Sequence, residues 1–410
     1  MKYVIIGNST AAIACIEGIR PADGAGEITV ISDEKYHCYG RPTISYCLMG
    51  ATSRANMKYR PDDFYQKNNV KTMFGVRAQS IDAKDKCVVL QDGERVPYDK
   101  LLVATGSRPF VPPMDGIESV KNVFSFMTMD DMNALEKVLS PKKKVLVIGA
   151  GLIGLKCVEG ILKRVGQVTV VDLADRILPS ILDAEGAAII QRRLEGLGVK
   201  FILNDCAAKF EGNKVALKNS GQEISFDILV IAVGVRANTE LVKEAGGAVN
   251  RGIVVDTHMR TSLPDVYAAG DCAEGYDSST GTNRVLALLP NAYFQGNVAG
   301  VNMAGGEVEQ TDAIPMNAIG FFGSHILSAG VYEGECISHI QGDIYKKLFV
   351  KDKKLVGFIL INDFLRAGIY TALVREKTPL ADVDFELLIT APQLLAYPPA
   401  QRRAKLAQKV

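Results

Sequence analysis

A strand, a glycine-bearing turn, a helix and a second strand follow one another twice in this chain, about 142 residues apart, and each copy ends on an acidic residue. The first copy reads as a buried strand over Lys2 to Ile6, a turn at Gly7, a helix from Thr10 to about Arg20, and a strand over Glu27 to Ser32. The second has a strand from Lys144 to Ile148, a glycine-rich turn, a helix to about Val165, and a strand from Gln167 to Val171. Such a unit needs a parallel sheet, because its two strands run the same way and the helix is the crossover between them. Two dinucleotide sites on an α/β scaffold are the natural reading.

The second copy carries the cleaner fingerprint, Gly149-Ala150-Gly151-Leu152-Ile153-Gly154, followed by Asp172 at the end of the next strand. Gly149 makes the tight turn, Gly151 lets backbone N–H groups approach a pyrophosphate at the helix N-terminus, and Gly154 lets helix and strand pack closely. A carboxylate at Asp172 accepts hydrogen bonds from a ribose diol and repels a 2′-phosphate, which points to NADH over NADPH. The first copy, Gly7-Asn8-Ser9-Thr10-Ala11-Ala12, keeps only its first glycine, with small residues Ser9 and Ala12 in place of the others. Asp33, with Glu34 beside it, stands where a ribose partner is expected.

Two further strand-and-turn segments resemble each other, Leu101 to Gly106 and Ile228 to Gly234. A third, Thr261 to Cys272, delivers Gly270-Asp271 to a turn, and Pro290-Asn291-Ala292 follows at a helix start. From about Ile314 the pattern changes to β-rich alternation (Ile337 to Phe349, Leu355 to Ile361) and then a helix from Asp363 to Val374, which reads as a smaller domain with an antiparallel sheet.

The 410 residues hold 47 basic and 46 acidic side chains, so the balance argues against nucleic acid or an anionic membrane as the main partner. No apolar run reaches the roughly 18 residues of a spanning helix, and Asn8, Ser9, Thr10 and Glu17 interrupt the N-terminal apolar stretch that would otherwise imitate a signal peptide. The eight cysteines stand singly without a C-x-x-C pair, which fits a reducing cytoplasm and excludes the usual zinc and iron–sulfur spacings. The four histidines show no metal spacing, Met127 and Met129 read as core residues, and Lys142 to Lys144 as a solvated strand entrance.

In order, the motifs G-x-S-x-A-A, A-T-G, G-A-G-L-I-G, A-V-G-V-R-A-N and Y-A-A-G-D-C resemble those of the flavoprotein reductases with two dinucleotide-binding domains, across essentially the whole chain. The resemblance implies two Rossmann-like domains, an NAD domain (114–239) inserted in an FAD domain (1–113 and 240–313), and a C-terminal α+β domain (314–410). It implies FAD on the first unit, with Gly7, Ser9, Ala11, Ala12, Asp33 and Glu34, and NADH on the second, with Gly149, Gly151, Leu152, Ile153, Gly154 and Asp172. Asp271 would bond the FAD ribityl chain, Ala78 would meet adenine, and Arg41, Pro42, Ala104, Thr105, Gly106 and Leu289 would lie near the cofactor. Gly234 is counted among the cofactor positions as well. Cys272 reads as a packing residue of the Gly-Asp turn.

The loop from Tyr36 to Gly50 narrows the branch. It lacks the Cys-x₄-Cys pair of the disulfide reductases, and the single cysteine of NADH peroxidases, NADH oxidases and coenzyme A-disulfide reductases falls on Pro42. Arg41-Pro42-Thr43-Ile44-Ser45 resembles the NADH:rubredoxin and NADH:ferredoxin reductase branch, in which the flavin is the sole redox centre. An iron–sulfur carrier of rubredoxin or ferredoxin type is then the expected partner, docking on Lys142 to Lys144 or Arg402 to Lys409. A narrower likeness, through the Gly7-Asn8-Ser9 turn, Glu17-Gly18-Ile19-Arg20 and the Arg41 to Ser45 loop together, is to FAD/NAD oxidoreductases found beside carbon monoxide dehydrogenases and ferredoxin-like proteins. Two departures stand out, since many relatives have Lys at Tyr46 and Glu at Lys156, paired beside the flavin. The competing readings are an oxidase, peroxidase or coenzyme A-disulfide reductase using Cys38 or Cys47, and a non-catalytic NADH sensor that forms dimers through its C-terminal domain.

Overall fold

The computed structural model describes residues 1–407 and divides into two compact units. The first comprises Met1–Ser180, Gln191–Tyr276 and Asn283–Gln310; the second comprises Ile181–Ile190, Asp277–Thr282 and the chain from Thr311 onward.

Leaving aside small accessory sheets, single-turn helices and the helix Ala184–Gly196, which the two units share, the first unit runs β1 (Lys2–Ile6), α1 (Thr10–Ile19), β2 (Glu27–Ser32), α2 (Thr43–Leu48), β3 (Val70–Phe74) and β4 (Lys100–Val103). It continues through β5 (Val123–Phe124), α3 (Met129–Glu136), β6 (Lys144–Ile148), α4 (Leu152–Ile161), β7 (Gln167–Val171), β8 (Val199–Ile202), β9 (Ile228–Ile231), β10 (Val266–Ala268) and α5 (Leu289–Met303). Two five-stranded sheets result, ordered β10-β4-β1-β2-β3 and β8-β7-β6-β9-β5, and all their strand pairs are parallel. Strands covered on both faces must be apolar throughout; Val4, Ile5, Val30, Leu101, Leu102, Val147, Val170 and Leu229 are accordingly at most 1% exposed. From β1 in one sheet and from β6 in the other the chain steps outward to one side and then crosses to the other, so the carboxyl ends of β1 and β6 are the switch points where such folds bind ligands. The second sheet lies in sequence wholly between β4 and β10 of the first. A two-stranded ribbon, Ser107–Pro109 against Val235–Ala237, ties together the segments by which the chain leaves and returns.

The helix α1 ends at Ile19, and the second-copy helix ends at Ile161 with a single 3₁₀ turn after it, each within a few residues of the expected limit. Beneath the first sheet α1 and α5 touch through glycines: a Cβ added at Gly296 would lie 2.1 Å from the Ala11 carbonyl oxygen, and one at Gly300 2.2 Å from that of Cys15.

The second unit contains the expected antiparallel sheet, β11 (Met316–Phe321), β12 (Ser324–Gly330), β13 (Glu335–Gln341), β14 (Ile344–Lys351) and β15 (Lys354–Ile361), in the order β11-β12-β15-β14-β13. The alternation read as one stretch from Ile337 to Phe349 is thus a hairpin turning at Gly342-Asp343. Its helix α6 (Gly368–Glu376) starts five residues later than the periodicity suggested, because Asn362 and Arg366 adopt left-handed backbone (φ 58° and 57°). Among the described residues no helix is long and apolar enough to cross a membrane, and no group of ligating side chains could hold a metal.

Alanine is intrinsically favoured over glycine in a helix by about 1 kcal/mol, so Gly300→Ala on a free helix surface would stabilise the protein. Here the added methyl meets a backbone carbonyl, and a net loss of roughly 1–3 kcal/mol is expected, read as a drop of several degrees in a thermal melt.

Candidate functional site

The two strand-to-helix turns are built alike. Gly7 N–H donates to Ile31 O at 2.8 Å and Gly149 N–H to Val171 O at 2.8 Å; Ala104 N–H donates to Ile6 O, and Ala232 N–H to Ile148 O, both at 2.8 Å. Both glycines have positive φ, 117° and 114°, and a Cβ on either would lie 2.1–2.2 Å from the carbonyl oxygen of Ala104 or Ala232. The A-T-G and A-V-G segments are therefore the second walls of the same turn, which is why they resemble each other in sequence.

Around the first turn opens a cavity of about 890 Å³. Of the expected cofactor residues, Gly7, Ser9, Ala11, Asp33, Glu34, Arg41, Ala78, Ala104, Thr105, Gly106, Asp271 and Leu289 all line it. Ala12 is fully buried behind them, and Pro42 precedes α2 as its cap residue and is exposed. Asp271 accepts a hydrogen bond from Ser107 Oγ at 3.0 Å, and burial raises its carboxyl above the ordinary aspartate value. Glu34 takes a hydrogen bond from Tyr39 at 2.6 Å and an ion pair from Arg41, whereas Asp33 is exposed at the rim.

Several wall residues were not singled out from the sequence. Met127, read there as core, lines the cavity, as do Arg77, Gln91, Arg108 and Glu240. Asn238 is the most consequential. Its side-chain amide donates to Thr105 O at 2.8 Å, its backbone N–H to Gly106 O at 2.9 Å, and its carbonyl accepts from Thr105 Oγ at 2.8 Å. The signal was present in the motif A-V-G-V-R-A-N, whose last residue is this asparagine.

At the second turn, Gly151 caps α4 with open space where a Cβ would be, Leu152 and Ile153 form the first helical turn, and a Cβ on Gly154 would strike Gly149 O at 2.1 Å. Asp172 points back at the loop: its carboxylate accepts from Ala150 N–H at 2.5 Å and from Ala174 N–H at 2.7 Å. Gly234 stands exposed at the end of the A-V-G segment with φ 117°.

Neither candidate thiol borders the cavity. Cys38 is 1% exposed, and burial pushes its pKa up to about 12; Cys47 lies on the inner face of α2 with its pKa raised for the same reason. Cys272 is packed in the Gly-Asp turn with its thiol toward Val103 O and Ala269 O. Of the basic clusters, Lys142 to Lys144 sits at the amino end of β6, roughly 13 Å along the strand from the glycine turn, with Lys143 paired to Asp227 at 3.4 Å. Arg402, Arg403 and Lys405 belong to the second unit, Lys405 being paired with Glu376, and Lys409 lies outside the described residues.

The two departures meet each other. The Lys156 ammonium lies 4.1 Å from the centre of the Tyr46 ring and pairs with Glu159 one turn along α4, with side chains 12% and 6% exposed. The cation thus comes from α4, with an aromatic face below it and its counter-charge on its own helix.

With this geometry in hand, the likeness to known proteins is extensive. Residues 1–296 match the pyridine nucleotide-disulphide oxidoreductase family, and residues 315–378 match the rubredoxin NAD+ reductase C-terminal domain. The chain belongs to this oxidoreductase family. It is an FAD-dependent enzyme that uses NADH. Among its relatives, the epsilon subunit of the NADH-dependent phenylglyoxylate dehydrogenase of Aromatoleum evansii is 32% identical over 392 residues, 92% of each chain. The NADH-rubredoxin oxidoreductase of Clostridium acetobutylicum is 30% identical over 366 residues, 88% of this chain and 91% of that one. A crystal structure of the latter superimposes with a TM-score of 0.74 at 26% identity, covering 93% of this chain and 94% of that one. The chain spans about half the length of other relatives, such as the Bacillus subtilis nitrite reductase.

Removing one partner of a buried ion pair typically costs roughly 3–5 kcal/mol, while replacing both by apolar groups is close to neutral. Lys156→Met should therefore destabilise the protein strongly and the double variant Lys156→Met/Glu159→Leu much less, a difference that denaturant titration of the three proteins would expose.

Proposed function

We propose that this chain draws electrons from NADH and passes them through FAD to a small iron–sulfur protein of the rubredoxin or ferredoxin type. The observation that carries this reading is the cavity wall, which among the described residues contains no cysteine. Electrons that reach the cofactor then have no thiol to enter and leave by direct transfer. The buried, high-pKa thiols of Cys38 and Cys47 support the same conclusion, since a thiol reacts as its thiolate.

The cavity fits an adenine dinucleotide. Its volume lies in the range of cofactor sites, its wall includes the start of α1, the kind of helix end that binds phosphate, and the carboxylates of Asp33, Glu34 and Asp271 line it. FAD, when bound, supplies the conversion between two-electron and one-electron transfer. The chain's residues hold and orient it: Gly7, Ser9 and Ala11 at the phosphates, Ala78 at adenine, and Asp271, fixed by Ser107, at the ribityl hydroxyls. NADH is assigned to Gly149, Gly151, Gly154 and Asp172, with residues 114–239 as its domain. Asp172 braces the loop through Ala150 and leaves carboxylate charge where a 2′-phosphate would have to sit.

The first relative is one subunit of a larger dehydrogenase, so the iron–sulfur partner is either a free carrier or a neighbouring subunit. A carbon monoxide dehydrogenase system is one such second setting, proposed from the motifs at Gly7 to Ser9, Glu17 to Arg20 and Arg41 to Ser45.

Mixing the NADH-reduced enzyme with rubredoxin or ferredoxin under anaerobic conditions should give rapid carrier reduction that survives Cys38→Ser and Cys47→Ser. Negligible transfer to either carrier, together with cysteine-dependent reduction of peroxide, oxygen or a disulfide, would overturn the assignment; no turnover with any acceptor would favour a sensor. Asp271→Ala removes an acceptor of charged hydrogen bonds worth roughly 1.5–3 kcal/mol, so the purified variant should retain a small fraction of the wild-type flavin absorbance.

A further inference from the structure

We propose that Asn238 is a positioning residue for the first cavity: by clasping the A-T-G turn it sets Asp271 where the ribityl hydroxyls of FAD need an acceptor. The proposal rests on FAD occupying that cavity. It goes further by giving a part in flavin binding to the segment that returns from the inserted lobe.

Thr105 and Gly106 belong to no helix or strand, and Gly106 has left-handed backbone with φ 65°. Their main-chain groups therefore need partners from elsewhere in the chain. Asn238 supplies them. Thr105 O accepts from the Asn238 side-chain amide at 2.8 Å, Gly106 O accepts from its backbone N–H at 2.9 Å, and Thr105 Oγ donates to its carbonyl at 2.8 Å. The remaining side-chain atom, Oδ1, accepts from Arg108 Nη1 at 2.8 Å, and Arg108 in turn pairs with Glu240 at 2.6 Å.

On either side of the clasped pair the chain touches the Gly-Asp turn. Before it, Val103 O accepts from the Cys272 thiol at 3.4 Å; after it, Ser107 Oγ donates to Asp271 at 3.0 Å. Ser107 also stands opposite Ala237 in the ribbon, one residue before Asn238. The hydroxyl that orients the Asp271 carboxylate thus depends for its own place on two residues held by Asn238. A side-chain amide suits the task because it donates and accepts at once, as neither alanine nor an ionised aspartate does.

The test is a double-variant cycle on the FAD-loaded full-length protein, read by equilibrium dialysis against falling FAD concentrations. Asn238→Ala should weaken FAD binding about tenfold in the wild-type background. In the Asp271→Ala background the same substitution should cost less than about threefold, because residues that act through one another are not additive. Asn238→Asp has nearly the same size but lacks the donor to Thr105 O; it should give the same pattern and serves the cycle if the alanine variant does not fold. Unchanged FAD binding in the Asn238 variants would overturn the proposal. So would a loss by the same factor in both backgrounds, the result expected of a residue that touches FAD directly or merely holds the ribbon together. If Asp271→Ala itself left FAD binding intact, the assignment of FAD to this cavity would fail, and the role of Asn238 with it.

Discussion

Where a parallel strand hands its chain to a helix, the backbone must reverse within a residue or two, and here it does so at Gly7 and Gly149 against the carbonyl oxygens of Ala104 and Ala232. Positive φ and a carbonyl at about the position of the missing Cβ leave no room for any other residue. Much else follows from this contact. It fixes the distance between β1 and β4 in one lobe and between β6 and β9 in the other, and sets the helix start at the mouth of the switch point. The same contact made twice is what gives both lobes the same strand-to-helix turn without two unrelated designs.

The lobes differ in what surrounds that contact. In the first, the wall is completed by segments from distant parts of the chain: the loop after β2, the A-T-G turn, the Gly-Asp turn and the start of α5. Asn238 belongs to the return segment yet bonds Thr105 and Gly106, so the A-T-G wall is held by the strand of chain that comes back from the inserted lobe. In the second lobe, Asp172 bridges its own glycine loop through Ala150. One site is stitched by long-range hydrogen bonds, the other by a local one.

The features legible in the sequence were those with a short repeat. The two strands of each glycine unit, Lys2–Ile6 with Glu27–Ser32 and Lys144–Ile148 with Gln167–Val171, begin and end where their apolar runs do, and most of the expected first-cofactor residues line one cavity, because glycine turns and strand-end carboxylates have fixed spacings. What escaped were effects of tertiary contact. Met127 looks like any core methionine, and only the folded chain brings it to the cavity. The late start of α6 follows from left-handed backbone at Asn362 and Arg366, which apolar periodicity does not register. The pairing of Lys156 with Tyr46 joins two positions that looked, one at a time, like unrelated departures from a pattern.

The placement of β10 bears on how the protein is made. The first sheet lacks a strand until residues 266–268 have been synthesised, and the cavity wall lacks its last pieces until Leu289 and Ala292 have followed. By then the whole of the second sheet has already left the ribosome. The inserted lobe, whose strands are all contained between residues 123 and 231, can assemble while the first waits with an open edge at β4. Synthesis from the amino end thus lets the second lobe mature before the first, and the cavity wall is completed last.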